Sequence, residues 1–330
     1  MVACDILVRA VAVVLVLLGA GCGSKPGGAA ATPTPPSSTS ESATSTPSAA
    51  VPSPSAPPSA SSSAEVAGRP CGALACLAFD TPRAAFAHAL ASNPRIIALG
   101  ESHAQKDAPK VKSTTRRFAE ELLPALAGRA SDLVIELLTT NGSCGKAVEK
   151  DVADRQKPVT EPQAATNQNQ YLTLGTLAKG LGIAPHALAP ECEELRAVTD
   201  AGAGDIERML VLIADATVRE TEKLLVNGDA KRAIVLYGGA LHNDLEPRPE
   251  REKWSYGPRL AKRVDGKFVE IDLVVPEYVK PTPAWQGFPW YSALEALAPS
   301  SQTILYEPSP SSYVLVFPRS APPDPPKPAP

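Results

Sequence analysis

Histidine is scarce in this chain, with four in 330 residues, and aromatic side chains make up only 5%. So few rings leave little with which to line a pocket for a large planar cofactor. Neither sign of charge dominates. The net charge of −3 offers no electrostatic footprint for nucleic acid. The leading apolar run, Ala10 to Leu18, is far shorter than the about 20 residues of a membrane-crossing helix. No CxxC pair or clustered Cys/His spacing appears, which disfavours a zinc site. Proline, by contrast, is abundant: most of the excess among its 35 residues sits at the two ends, which removes the first fifth of the chain from any core.

The first 22 residues, MVACDILVRAVAVVLVLLGAGC, read as a targeting segment, with Arg9, a short apolar run and then small residues. The ending LGAGC resembles a bacterial lipobox, which implies cleavage and lipidation at Cys22. Gly23 in place of aspartate implies export to the outer membrane. An ordinary cleaved signal peptide is the alternative. Residues 23–68, a Pro/Ser/Thr/Ala mixture, have almost nothing apolar to bury and read as a disordered stalk of up to ~100 Å. Residues 321–330 read as a second disordered, proline-rich tail. With Cys4 in the signal, Cys71, Cys76, Cys144 and Cys192 remain. An even number in an exported domain favours disulfides. Of three pairings, the favoured one joins Cys71–Cys76 as a local loop and Cys144–Cys192 as a staple between strand-end loops.

From residue 80 onward helix and strand patterns alternate. TPRAAFAHALASNP predicts a helix capped by Thr81 with Pro82 in its first turn. STTRRFAEELLPALAGRA predicts one amphipathic helix with Phe118, Leu122 and Leu126 on a single face. The longest helix is expected from about Asp205 to Val226. RIIALG, DLVIELL, IAPHALAP, KRAIVLYGG and KFVEIDLVV read as strands, and TILYEP with SYVLVFP as a hairpin or paired edge strands. Such alternation predicts one α/β domain over residues 69–320, with a mostly parallel central sheet flanked by helices. Ligands of open parallel sheets bind beyond the carboxyl ends of the strands, so the residues just after each strand matter most.

Two strands end in G-x-x-H: Gly100-Glu101-Ser102-His103 and Gly239-Ala240-Leu241-His242, the latter followed by Asn243. The glycines are expected to permit a tight turn or positive φ, and the histidines to point back over the strand ends. Glu136 ends DLVIE among apolar residues, where an unpaired carboxylate is costly. A third strand ends near Glu191, Glu193 and Glu194. His88 reads as a helix-face residue and His186 as a packing residue within reach of the site. TPAWQGFPWYSALEAL gathers Trp285, Phe288, Trp290 and Tyr291, either as a packed loop or as a surface for substrate or partner.

IIALGESHA, DLVIE and IVLYGGALHN together resemble the superfamily that joins the ChaN haem-binding lipoproteins, the Tiki/TraB proteins and the erythromycin-esterase-like proteins. The resemblance spans roughly residues 90–275 and implies a ChaN/erythromycin-esterase-like fold. Tyr237 and Tyr256 lie near where a haem-ligating tyrosine would be sought, and the resemblance to Tiki proteins implies a divalent metal held by His103, Glu136 and His242. Three functions stay open. One is a hydrolase of small-molecule esters or peptides, with His103 or His242 as base, Glu101 or Glu136 orienting or acting as base, and backbone N–H groups after Gly100 and Gly239 as oxyanion donors. Ser102 is a less favoured nucleophile, since it lies outside G-x-S-x-G. Another is a haem- or iron-binding uptake lipoprotein. The last is a scaffold without catalysis. The low aromatic content tilts the reading toward the hydrolase, with the bilayer as a partner through acylated Cys22.

Overall fold

The computed structural model describes residues 14–16, 68–107, 110–139, 144–146, 148, 150–152, 154, 161, 163–200, 206–296 and 301–320. Cys22, nearly all of the expected signal and linker, and the tail 321–330 lie outside them. The strands in chain order are β1 (Val14–Val16), β2 (Arg69–Pro70), β3 (Leu77–Phe79), β4 (Ile96–Glu101), β5 (Ala130–Thr139), β6 (Ala184–Leu188), β7 (Ala233–Gly239), β8 (Phe268–Val274), β9 (Thr303–Ser309) and β10 (Ser312–Val316). They form one sheet in the order β1-β5-β7-β4-β8-β10-β9-β3-β2, with β6 also paired to β5. From β6 through β5, β7, β4 and β8 to β10 every pairing is parallel, whereas β9, β3 and β2 add on antiparallel. The expected α/β architecture with a mostly parallel sheet is therefore present.

The continuous apolar strands explain the layering. All six residues of β4 and all seven of β7 are buried, as strands covered on both faces must be. Alternate side chains feed two cores. Ile97, Leu99, Ile135 and Tyr237 pack beneath Phe86, Phe118, Leu122 and Tyr171. Ile96, Ala98, Val134 and Leu236 pack against Leu195, Ile213 and Leu260 on the other face. A third, smaller core joins Ile304, Tyr306, Val314 and Val316 to Trp290 and Leu294. There Phe288 stacks on Trp290 at 5.3 Å and Trp285 meets Trp290 edge-on, so the aromatic segment is packed against the antiparallel end of the sheet.

Four local features differ from expectation. The helix after Ser113 is regular only over Thr114–Arg117, then widens to a π-turn at Phe118–Leu122 and tightens to a 3-10 turn at Leu123–Leu126. Pro124 has no N–H to donate, and its ring clashes with the carbonyl four residues back. Phe118, Leu122 and Leu126 are still buried together. The glutamates after β6 do not end a strand at a site: Glu193 and Glu194 open a helix, Cys192–Asp200, where negative charge suits the positive helix end. Glu194 pairs bidentately with Arg219 at 2.7 and 2.9 Å. The β9–β10 hairpin lies inside the sheet, because β10 pairs with β8 and β9 with β3. Its edge is the two-residue β2, closed by Pro70. Finally, Val14–Val16 of the leading apolar run pairs with Leu137–Thr139. Among the described residues no helix is long and apolar enough to cross a membrane.

Both favoured disulfides are present, Cys71–Cys76 and Cys144–Cys192. The second closes a loop with a sequence separation of 48, the first one of 5. Loop-closure entropy then gives about 4 kcal/mol for the long loop and about 2 kcal/mol for the short one. Urea unfolding of Cys144→Ala/Cys192→Ala is expected to lose about twice the stability lost by Cys71→Ala/Cys76→Ala. Equal losses would contradict this origin.

Candidate functional site

Glu101 is the last residue of β4, whereas β5 runs on past Glu136 to Thr139, so Glu136 does not end its strand as expected; strand alternation sends the two glutamates to opposite faces of the sheet. Glu101 follows Ile97 and Leu99 on one face, and Glu136 lies with Val134 and Leu138 on the other. Both are buried, as are His103 and His242. The carboxyl edge of the sheet is where the two faces meet.

Glu101 is surrounded by donors. Its Oε1 receives the Tyr171 hydroxyl at 2.9 Å and lies 2.6 Å from His103 Nδ1. Its Oε2 accepts from Thr115 Oγ1 at 2.7 Å and from the Tyr237 hydroxyl. Burial alone would raise its pKa. The His103 charge and the hydrogen bonds from His103, Tyr237 and Thr115 together outweigh burial and hold Glu101 below the usual carboxylate range. Burial, reinforced by the Glu101 charge, pushes both phenols well above their ordinary value, so they stay protonated and donate. For His103 burial opposes protonation, but Glu101 and, more weakly, Glu136 overcome it and raise the imidazole pKa. With Nδ1 on Glu101, His103 Nε2 points away from it and has no partner among the described residues.

The segment that carries His103 is fastened at several points. Thr114 Oγ1 donates to the Ser102 carbonyl at 3.2 Å and Gln105 Nε2 to the His103 carbonyl at 3.1 Å. Asn167 Nδ2 and the Ala164 N–H both reach the Ala104 carbonyl, at 3.0 and 2.9 Å. Ser102 Oγ has no partner among the described residues, so no hydrogen bond from His103 prepares it as a nucleophile.

Among the described residues Glu136 has one donor, the Gly239 N–H on Oε2 at 2.6 Å. Burial dominates and its pKa is raised, against the lowering by His242, His103 and that N–H. Its Oε1 faces His242 Nε2 at 3.8 Å, and neither atom has a hydrogen-bond partner among the described residues. His242 Nδ1 lies 2.6 Å from the Trp254 carbonyl. That carbonyl can only accept, so Nδ1 carries the proton and Nε2 presents a lone pair when the ring is neutral. The loop behind it is closed by Ser255 Oγ, which donates toward the carbonyls of His242 and Asp244 at 3.0 and 2.6 Å.

The glycines act through space, not through turns. Neither Gly100 nor Gly239 has positive φ, because both still belong to strands. A Cβ on Gly100 would lie 2.6 Å from both Asn243 Oδ1 and Asp272 Oδ1, so glycine is required there for close approach. Asn243 Nδ2 donates to Asp272 at 3.0 Å. The expected oxyanion donors after Gly239 are committed elsewhere: Gly239 N–H to Glu136, Ala240 N–H to the Glu101 carbonyl and His242 N–H to the Gly239 carbonyl.

The sequence-derived residues form two pairs, Glu101–His103 and Glu136–His242, with Glu136 near enough to His103 for its charge to raise the imidazole pKa. His186 instead contacts Asp132 at 2.8 Å and Glu220 at 3.6 Å, near the amino ends of the strands. His88 packs on Phe79. Sequence reading missed Thr115, Tyr171, Tyr237 as a donor to Glu101, and Asp272. Tyr237, considered as a haem ligand, has its hydroxyl committed to Glu101, and Tyr256 is buried. Among the described residues no group of three or more His, Cys, Asp or Glu side chains is arranged to hold a metal ion. No family model, curated protein or solved structure matches the chain.

NMR titration of the His103 ring is expected to give a pKa above the ordinary ~6.5, and Glu101→Gln to lower it. An unchanged midpoint in that variant would show that Glu101 does not set the charge of His103.

Proposed function

We propose that this protein is a hydrolase of ester or peptide bonds, acting by general acid–base catalysis at Glu136 and His103. The observation that carries this reading is the buried Glu101–His103 pair, 2.6 Å apart, which leaves Nε2 oriented and unpartnered. Geometry suggests the roles. Glu136 Oε1 faces His242 Nε2 at 3.8 Å and neither atom has a hydrogen-bond partner among the described residues, which suits Glu136 to take a proton from a water held there. His103 is held through Nδ1 by Glu101, whose charge favours the protonated ring, which suits Nε2–H to donate. A histidine base, His103 or His242, the first expectation from sequence, gives way to this assignment.

A single water can span the 3.8 Å between Glu136 Oε1 and His242 Nε2 by giving one O–H to each. Glu136 takes a proton as the water oxygen bonds to the substrate carbonyl carbon and the carbonyl electron pair moves onto its oxygen. His103 Nε2–H steadies that oxyanion. It then protonates the leaving oxygen or nitrogen as the scissile bond breaks, releasing a carboxylic acid and an alcohol or amine. Glu136 returns its proton to solvent and His103 regains one.

The resemblance to the ChaN, Tiki/TraB and erythromycin-esterase-like superfamily supports a site at these strand ends. The LGAGC ending and the Pro/Ser/Thr-rich residues 23–68 support an exported enzyme anchored to the outer membrane through Cys22 and standing off on a stalk.

On a panel of p-nitrophenyl esters and chromogenic peptides, kcat/KM is expected to be bell-shaped in pH. It rises as Glu136 loses its proton above the usual carboxylate range and falls as His103 loses its own above ~6.5. His103→Ala and Glu136→Gln are each expected to lower it by ~10²–10⁴-fold. Undiminished turnover in both variants would end this reading.

A further inference from the structure

The atoms assigned to the chemistry are shut away from solvent. His103 Nε2, Glu136 Oε1 and His242 Nε2 are each buried and have no hydrogen-bond partner among the described residues. An ester or peptide cannot reach them while the surrounding backbone stays as it is, because protein interiors are close-packed. For the hydrolysis proposed above, part of the cover has to move, and its parts differ in how firmly they are held.

Beyond β7 the cover is firm. The Tyr256 N–H donates to the His242 carbonyl at 2.8 Å, Ser255 Oγ donates to the same carbonyl, and Tyr256 belongs to the buried cluster of Leu236, Leu260 and Phe268. Beyond β8 and β10 it is firm as well. Buried Arg117 donates to the Pro318 carbonyl at 2.8 Å and to Ser320 Oγ at 2.7 Å, the Ser320 N–H donates to Glu277, and Phe317 and Tyr278 are part of the core.

The connections that leave β4 and β5 are joined differently. Gln105 and Gln163 form a single antiparallel bridge. The Ala164 N–H and Asn167 Nδ2 both donate to the Ala104 carbonyl, at 2.9 and 3.0 Å, and Gln105 Nε2 donates to the His103 carbonyl at 3.1 Å. Apolar support is slight: Ala104 is buried, whereas Val111 and Ala164 are only partly so. Segments held by a few polar bonds over little apolar contact open at low cost. β4 and β5 are not neighbours, because β7 lies between them and runs parallel to both. A bridge between their outgoing connections therefore spans the carboxyl end of β7, where the Gly239 N–H meets Glu136 and His242 follows.

We propose that the Gln105–Gln163 bridge is a lid, closed in this structure, and that substrate reaches His103 and Glu136 only when it parts. Closure of such a lid excludes water from the reaction, and its opening commonly sets the turnover rate. Ala104 directly follows His103, so parting the lid also loosens the segment that aims Nε2. Closure and alignment of the acid thus come together.

This inference rests on the hydrolase reading, and its test separates the two. The Ala164-to-Ala104 bond runs from the residue after Gln163 to the residue before Gln105. Gln105 and Gln163 are therefore a non-hydrogen-bonded pair, with Cα atoms about 4.5 Å apart, within reach of a disulfide. Full-length Gln105→Cys/Gln163→Cys is assayed on p-nitrophenyl esters when oxidised and after mild reduction, with wild type treated alike. The cross-linked form is expected to lose ~10-fold or more of kcat/KM against its reduced form, and wild type to change little. Full turnover in the cross-linked form overturns the lid and leaves the hydrolase standing. If wild type hydrolyses no ester, the hydrolase reading fails, and the lid is judged by diethyl pyrocarbonate, which acylates accessible histidine rings. By mass spectrometry, His103 is then expected to be modified in the reduced variant and protected ~10-fold or more in the cross-linked one. Half-buried His88 and His186 are expected to react alike in both. Equal modification of His103 in the two forms, no modification in either, or failure of the cysteines to cross-link would overturn the lid.

Discussion

An ionised carboxylate buried at 3% exposure is the constraint around which this fold is organised. Without partners, Glu101 would be neutralised or would unfold the region, since an isolated buried charge is far costlier than a neutral polar group. Here it is met by two phenols, a threonine hydroxyl and an imidazole. Those donors come from β7, from the short helix after Ser113, from the helix Asn167–Gly180 and from the segment just beyond β4. Meeting the charge of Glu101 therefore fixes how both helices dock on that face. It also fixes the ring of His103, whose Nε2 has no partner among the described residues.

The opposite face treats the same chemical group differently. Glu136 has a single backbone donor, and its pKa rises where that of Glu101 falls. Two glutamates on the parallel strands that flank β7 thus acquire opposed tendencies from their surroundings alone. Such divergence is the usual basis for dividing acid and base roles within one site. Paired glycines on β4 and β7 let the Glu136 side chain and the Asn243–Asp272 pair lie directly over the backbone. The same glycines keep that face of the strand ends free of apolar side chains.

Much of this was readable without coordinates. IIALG and AIVLY announce buried strands because their apolar residues are continuous, and a polar residue that ends or interrupts such a run is conspicuous by its cost. That signal found Glu101, His103, Glu136 and His242, and the same signal in FVEIDLVV would have found Asp272. It found neither Thr115 nor Tyr171, because each looks like an ordinary helix residue. Their partner lies 14 and 70 positions away. Pro124 did carry the signal for the broken helix, although the apolar period running through it persists in the burial of Phe118, Leu122 and Leu126. Glu193 and Glu194 misled for the converse reason: acidic residues after a strand look alike whether they end it at a site or open the next helix.

Local periodicity and the placement of glycine and proline determined, by sequence alone, which segments are helices and strands, which strands are buried on both faces, and which polar residues terminate them. Tertiary structure alone decided that β4 lies between β7 and β8 and that the register aligns Gly100 with Gly238 and Asp272. It alone sent Glu101 and Glu136 to opposite faces of the sheet. Register and strand order depend on contacts between segments more than a hundred residues apart. A slip of one residue would exchange the faces and dismantle the site while leaving every local pattern in the sequence unchanged.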